Sequence, residues 1–362
     1  MRIGIVTPFD SRNFGNRLQN YALQQILLQY ADEVITIKNK PWLPSLAQRI
    51  RRGSPLAESV WVNRLLGEGR KAKLLEFNRE HLNITRNRYW YNRPCPQLKK
   101  EDRCDWYCVG SDQIWNPELL RDGGFNFLTF APREKTFSYA ASFGISEIPE
   151  EKKGAVAAGL RHIRHLSLRE EAGKRIVEEL TGRQDAVLLP DPTLLLRREQ
   201  WEAIMKCPDQ VLPENYLLTC FLGERNPQRS AEIQRRAARW GLEVISPMDP
   251  ASPFYEIGPG EFLFLLSKAG FVCTDSFHAS VFSFLFQRPL AIFPREGEGS
   301  TMGSRLDTLV KTCHLEHCRV AGNALPPALC PADYSVGFQQ LETERLRAKA
   351  FLDGIFAREE RR

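Results

Sequence analysis

The sequence predicts an α/β protein made of two Rossmann-like halves, and three observations carry that reading. A chain of 362 residues is long for one core and suits two domains. Short apolar runs alternate with stretches of helical spacing along most of the chain, as in parallel sheets covered by helices. The runs end repeatedly in small polar clusters, and open α/β sheets collect ligands at the carboxyl ends of their strands. With 43% hydrophobic and 26% charged residues, the composition is that of an ordinary soluble globular protein. No apolar run approaches the roughly 18 residues that span a bilayer. The apolar start is broken by Asp10 and Arg12, so a signal peptide is not expected. Nine scattered cysteines, among them Cys108, Cys220 and Cys273 inside apolar runs, point to reduced thiols in a cytosol rather than to a disulfide framework.

Residues 2–7 read as the first strand, 8–16 as a polar turn containing Gly15, 18–30 as a helix and 33–37 as the second strand. That is one β-α-β unit. Its loop lacks the G-x-G-x-x-G dinucleotide fingerprint. Asn13, Asn16 and Gln19 around that loop are uncharged donors and acceptors, suited to a polar ligand or to turn and cap hydrogen bonds. Residues 38–100 are irregular and basic, with fifteen Lys/Arg against four Asp/Glu, while the whole chain carries a net +6. The dense spots are 48–52 and 70–73, with Trp42, Leu43, Leu46 and Ile50 as an apolar edge. Such a segment fits an anionic membrane surface, a solvated helical face, or a helical insertion packed on the first domain. Strands at 105–109, 136–140 and 166–168 end in Gly110-Ser-Asp112, Ala141-Ser-Phe-Gly144 and Arg169-Glu170-Glu171. With the end of the first strand, four strand ends thus aim polar groups at one edge, which is how a cleft is built.

Asp191, between Pro190 and Pro192, marks a stiff exit to a second half. There, strands at 215–221, 243–245, 271–273 and 289–293 alternate with helices at 228–240, 260–269, 278–286 and 304–315. The expected division is 1–184 and 185–335, followed by a C-terminal helix and charged tail over 336–362. That helix is expected to pack back on the first half. The strand at 271–273 ends in Thr274-Asp-Ser276, which can cap the helix after it, and His278 comes next. An imidazole therefore sits where a strand hands over to a helix, whose free N–H groups attract anions. Cys313, His314, His317 and Cys318 crowd into too few residues to wrap a tetrahedral metal, so no metal is expected. There is no Walker A, G-x-S-x-G or H-E-x-x-H motif and no nucleic-acid module.

Several patches together resemble one family, the polysaccharide pyruvyl transferases. They are Asn13-Phe-Gly-Asn-Arg-Leu-Gln-Asn-Tyr-Ala-Leu-Gln24, Val109-Gly-Ser-Asp-Gln-Ile-Trp-Asn116, Tyr139-Ala-Ala-Ser-Phe-Gly144, Ser167-Leu-Arg-Glu-Glu-Ala-Gly173, Asp191-Pro-Thr193, Thr274-Asp-Ser-Phe-His-Ala279 and Ser304-Arg-Leu306. The resemblance implies two Rossmann-like domains facing a cleft, as in GT-B glycosyltransferases. It also implies transfer of a pyruvyl group from phosphoenolpyruvate to a sugar of a polysaccharide or its lipid-linked precursor. No cofactor is implied beyond that co-substrate. By the same resemblance His278 is the acid/base or, protonated, a phosphate ligand. Arg169, Arg305 and Ser276 meet the donor. Asn13, Gly15, Asn16, Gln19, Ser111 and Asp112 line the acceptor wall. The chain departs from the family where some members carry Arg-Leu ahead of this histidine: Ser276-Phe277 stands there, and Arg305 is the cation offered in its place. The implied setting is cytoplasmic, at the inner membrane face if the acceptor is lipid-linked. A nucleotide-sugar glycosyltransferase and a non-catalytic scaffold are the other classes compatible with this architecture.

Overall fold

The computed structural model describes residues 1–8, 13–40, 68–90, 96–117, 124–297, 304–326, 329 and 333–357. In chain order the first part runs β1 (Arg2–Val6), α1 (Phe14–Leu27), β2 (Glu33–Thr36), β3 (Asn39–Lys40), α2 (Glu68–His81), β4 (Tyr89–Trp90), β5 (Trp106–Gly110) and β6 (Thr136–Tyr139). It continues through α3 (Glu150–His162), β7 (Ser167–Leu168), α4 (Glu171–Thr181) and β8 (Val187–Leu188). The second part runs α5 (Arg198–Glu202), β9 (Tyr216–Cys220), α6 (Pro227–Trp240), β10 (Glu243–Ile245) and α7 (Pro259–Lys268). It ends with β11 (Phe271–Thr274), α8 (Phe277–Leu285), β12 (Leu290–Ile292), α9 (Ser304–Thr312) and α10 (Ser335–Phe356).

Two parallel sheets result, in the orders β2-β1-β5-β6 and β10-β9-β11-β12. Parallel bridges Phe137↔His165 and Ala141↔Leu168 carry the first sheet on to the β7–β8 pair. The central strands are continuous apolar runs because both of their faces are covered. In β11, alternation sends Val272 into the large core and Phe271 and Cys273 to the opposite face, against Ile233 and Ala237 of α6. The α/β class with two parallel sheets is therefore as the sequence predicts. One local reading changes: the helix expected over 304–315 stops at Thr312.

One apolar cluster joins the two halves. Phe14 of α1 packs on Phe262 of α7 at 5.1 Å between ring centroids. Trp201 lies against Tyr21 at 5.7 Å and meets Phe282 of α8 edge-on at 4.9 Å. Helix α10 does pack back on the first half: the Tyr30 hydroxyl donates to Asp353 Oδ1 at 2.8 Å, and Phe356 meets Tyr30, Trp106 and Phe137. Its first turns stack Phe338 on Phe284 at 4.5 Å, so it also touches the second half.

Helix α2, the described part of the basic segment, is held by the second half. Lys73 pairs with Glu261 at 2.9 Å, and Lys206 reaches Glu76 and Glu80 at 3.0 and 2.7 Å. The buried Arg70 guanidinium donates from Nε to the Tyr255 carbonyl at 2.8 Å and from Nη2 to that of Pro247. The apolar edge at 42–50 and the dense basic spot at 48–52 lie outside the described residues. Among the described residues, no helix is long and apolar enough to cross a membrane.

Candidate active site

The carboxyl ends of the two sheets meet at a cluster of charged side chains, each set by a strand end or a helix start. Asn13 caps α1 by accepting from the Asn16 N–H at 3.1 Å. Of its two sequence readings, the cap hydrogen bond is the one seen, although the residue also lines a cavity on the cluster. At the end of β5, Gly110 has φ +127°, and a Cβ there would stand 2.3 Å from the Tyr139 carbonyl, so only glycine fits. Ser111 and Asp112 come directly after it. The Ser111 N–H donates to Gln19 Oε1 at 3.1 Å and its hydroxyl bonds to the Ala140 carbonyl at 2.8 Å. Arg169 leaves the end of β7, Asp191 stands just past β8, and Ser276 caps α8 ahead of His278. Arg305 stands at the start of α9.

Arg169 is the hub. It donates from Nη1 to Asp191 and from Nη2 to Asp112 at 3.3 Å, and its Cζ lies 4.6 Å from the centre of the Phe277 ring. Arg305 Nη1 reaches the same Asp112 oxygen at 3.4 Å. Asn16 Nδ2 donates to the other Asp112 oxygen at 3.5 Å. His278 Nε2 is 3.9 Å from Asp191 Oδ2, too far for a hydrogen bond, and has no hydrogen-bond partner among the described residues.

A cavity of about 260 Å³ opens on this cluster. Asn13, Gly15, Asp112, Ser276, His278 and Arg305 line it, together with Phe277 and Arg295. The remaining expected residues lie behind that wall. Arg169 is covered by Phe277 and engaged by two carboxylates. Gln19 is fully buried and bonds Thr7 and Ser111, and Ser111 and Asn16 are equally shut in. These four support the lining rather than form it.

Burial and charge compete strongly here. Burial alone would raise the Asp112 carboxyl, but Arg169, His278 and Arg305 pull it down to about 2. Asp191 is likewise lowered: burial raises it, and Arg169 and His278 outweigh that. Arg305 is pushed down to about 10, first by burial and then by the like charge of Arg169. Burial also lowers His278 below its ordinary value, more than Asp191 and Asp112 raise it, so the imidazole is neutral at pH 7.

The imidazole rests on a glycine. A Cβ on Gly15 would stand 2.1 Å from His278 Nδ1 and 2.4 Å from Cγ. Gly15→Ala should therefore keep α1, since alanine favours a helix, yet displace the ring. We expect turnover to fall by about 10²-fold with an unchanged melting temperature. Near-normal turnover would show that the ring position does not matter.

The model of the polysaccharide pyruvyl transferase family matches residues 13–296. The chain belongs to the polysaccharide pyruvyl transferase family. For this pyruvyl transferase family enzyme, the match takes in every site residue expected from the sequence except Arg305. No curated protein matches it. Solved structures with a similar trace include UDP-GlcNAc 2-epimerase from Methanocaldococcus jannaschii, at 12% identity over 94% of this chain and 92% of that one, TM-score 0.48. UDP-GlcNAc 2-epimerase from Neisseria meningitidis bound to UDP-GlcNAc is 9% identical over 99% and 93%, TM-score 0.45. The E. coli heptosyltransferase WaaC with ADP is 12% identical over 95% and 100%, TM-score 0.37. These likenesses are loose and bear on neither substrate nor mechanism.

Three residues near the site carried no such expectation. Asp191 was legible as part of a motif but not as the partner of Arg169. Arg295 stands just past β12, where its Nη2 donates to the Asp275 carbonyl at 3.2 Å and it lines the cavity. Arg70 belongs to a basic run with no periodic signal, and it reaches the cavity clamped between the Phe14 and Tyr255 rings at 4.7 and 4.2 Å.

Proposed function

We propose that this enzyme moves the pyruvyl group of phosphoenolpyruvate onto two hydroxyls of a sugar in a polysaccharide or its lipid-linked precursor, forming a cyclic ketal and releasing phosphate. One observation carries the reading: an imidazole with an unpaired nitrogen, held towards its neutral form by burial, shares a cavity with Arg305 and Arg295, beside the carbonyl-bound Arg70. The donor's phosphate and carboxylate require cations, and guanidinium forks match both groups. Arg305 suits this role because it is buried and pairs with only one carboxylate, Asp112, at 3.4 Å among the described residues. Arg169 acts one layer back. It pairs with Asp112 and Asp191, and with the Arg305–Asp112 contact it offsets both carboxylates, which lowers their repulsion of an incoming anion.

The protons balance as well. When the anionic donor binds beside His278, the imidazole takes up a proton. It delivers that proton to C3 of the enol, which makes C2 electrophilic as the first sugar hydroxyl adds. The hydroxyl proton returns to His278. The C2–O bond to phosphate then breaks, with its electron pair leaving on the phosphate oxygen. The phosphate leaves with the proton that His278 holds, and the second hydroxyl then adds to C2 as the neutral His278 takes its proton. The product has a methyl group and two new C–O bonds. Ser276 holds the start of α8 by accepting from the Ala279 N–H at 3.4 Å, which fixes where His278 stands.

Thermal shift tests the reading. Phosphoenolpyruvate alone should stabilise the protein, by mass action on the folded state. Stabilisation by a nucleotide sugar instead would replace this reading with glycosyl transfer. No response to either, with no phosphate released on a glycan panel, would favour a scaffold.

A further inference from the structure

Two cavities meet at a pair of arginines. The one that holds His278 adjoins a second of about 210 Å³, and both are lined by Phe277, Arg295 and Arg305. A third arginine, Arg319, lines only the second. The acids of the second cavity are already engaged. Asp275 accepts from the Leu222 and Gly223 N–H groups at 2.7 and 2.9 Å and lies 3.9 Å from Arg295 Nε. Asp307 pairs with Arg319. Arg305 is the under-compensated group. It is 8% exposed, and its Nε has no hydrogen-bond partner among the described residues. A buried guanidinium with an idle N–H is a costly arrangement unless an anion completes it.

We propose that the second cavity is a subsite for inorganic phosphate, with Arg305 and Arg295 at its mouth and Arg319 within. Its place in the reaction, as the receiver of phosphate leaving C2, rests on the proposed pyruvyl transfer. Phosphate recognition itself rests only on the three arginines. The arginine pair holds the phosphoryl group while it is esterified in the first cavity. Once the C2–O bond breaks, the freed phosphate crosses to the second cavity, away from the oxocarbenium carbon, so that the second sugar hydroxyl meets no competing nucleophile.

The test is calorimetric titration of the intact protein with inorganic phosphate, in the absence of donor and acceptor. Wild type should bind it. The double variant Arg319→Met/Asp307→Asn removes the third arginine without stranding its partner. It should weaken phosphate binding by about tenfold or more, the loss of one charged contact. Binding of phosphoenolpyruvate, whose phosphoryl group sits at the arginine pair, should change much less. Arg305→Met should weaken both ligands. Phosphate affinity equal to wild type in the double variant would overturn the subsite, and so would absence of phosphate binding to wild type. If phosphate binding depends on Arg319 while phosphoenolpyruvate does not bind, the subsite stands and the donor assignment falls.

Discussion

Arg169→Met should destabilise the fold by about 3–5 kcal/mol at pH 7, the usual cost of removing one partner from a buried ion pair. Arg169 is 3% exposed and bridges Asp191 and Asp112, so its loss leaves the buried Asp191 without a guanidinium and Asp112 with Arg305 alone. Lysine cannot rescue it. One ammonium cannot reach both carboxylates and also stack under the Phe277 ring, as the planar fork does. The sign of the pH dependence separates this account from a simple packing defect. In wild type both carboxyls are held below the ordinary value of 3.8, Asp112 at about 2. Their contribution is present above pH 4 and fades as pH falls towards 2. Without Arg169, burial weighs more heavily on both carboxyls, most of all on Asp191, and they bind protons more readily than in the wild-type fold. The variant should then gain stability relative to wild type between pH 7 and 5. Urea midpoints across that range measure it. A midpoint at pH 7 equal to wild type would mean that the cluster is hydrated and the hub is not structural.

The same residue shows what sequence can and cannot tell. Strands and helices were legible because burial on two faces gives unbroken apolar runs, and α-helical packing gives 3.6-residue spacing. Phe271 to Thr274 and Tyr216 to Cys220 are such runs. The residues of the cluster were legible too, because they sit where those runs stop. Their layering was not. Whether Arg169 faces the cavity or the interior depends on Phe277 closing over it and on Asp191 arriving from beyond β8, 22 positions away. Gln19 looked like a ligand contact for a similar reason. Its amide satisfies the backbone of a turn 92 residues further on. Local pattern marks a polar residue at a strand end, but only the packed neighbour decides whether it meets ligand or protein. Arg70 is the opposite case. Its run of charge suggested a surface, whereas two aromatic rings and two backbone carbonyls bury it.

His278→Ala should lower turnover by about 10²-fold or more while leaving the fold intact, the scale of one general acid–base group. The structure sharpens that expectation beyond the residue itself. Burial keeps the free imidazole neutral, yet donation to C3 requires the imidazolium. The proton must therefore arrive with the donor, whose negative charge raises the affinity of the ring for it. Binding of phosphoenolpyruvate at pH 7.5 should be accompanied by proton uptake, seen as a dependence of the binding heat on the ionisation enthalpy of the buffer. His278→Gln should bind the donor with at most a modest loss of affinity, since an amide can donate a hydrogen bond to phosphate, but with no proton uptake and with turnover as low as in the alanine variant. If the glutamine variant retained turnover, the ring would serve as a hydrogen-bond donor and not as a proton carrier. If wild type took up no proton, C3 would be protonated by another group in the cavity. The unpaired Nε2 and its 3.9 Å gap to Asp191 fit a ring that carries the proton. A ring that must gain and lose a proton within one cycle is better left without a permanent hydrogen bond to a carboxylate, which would trap it in the charged form.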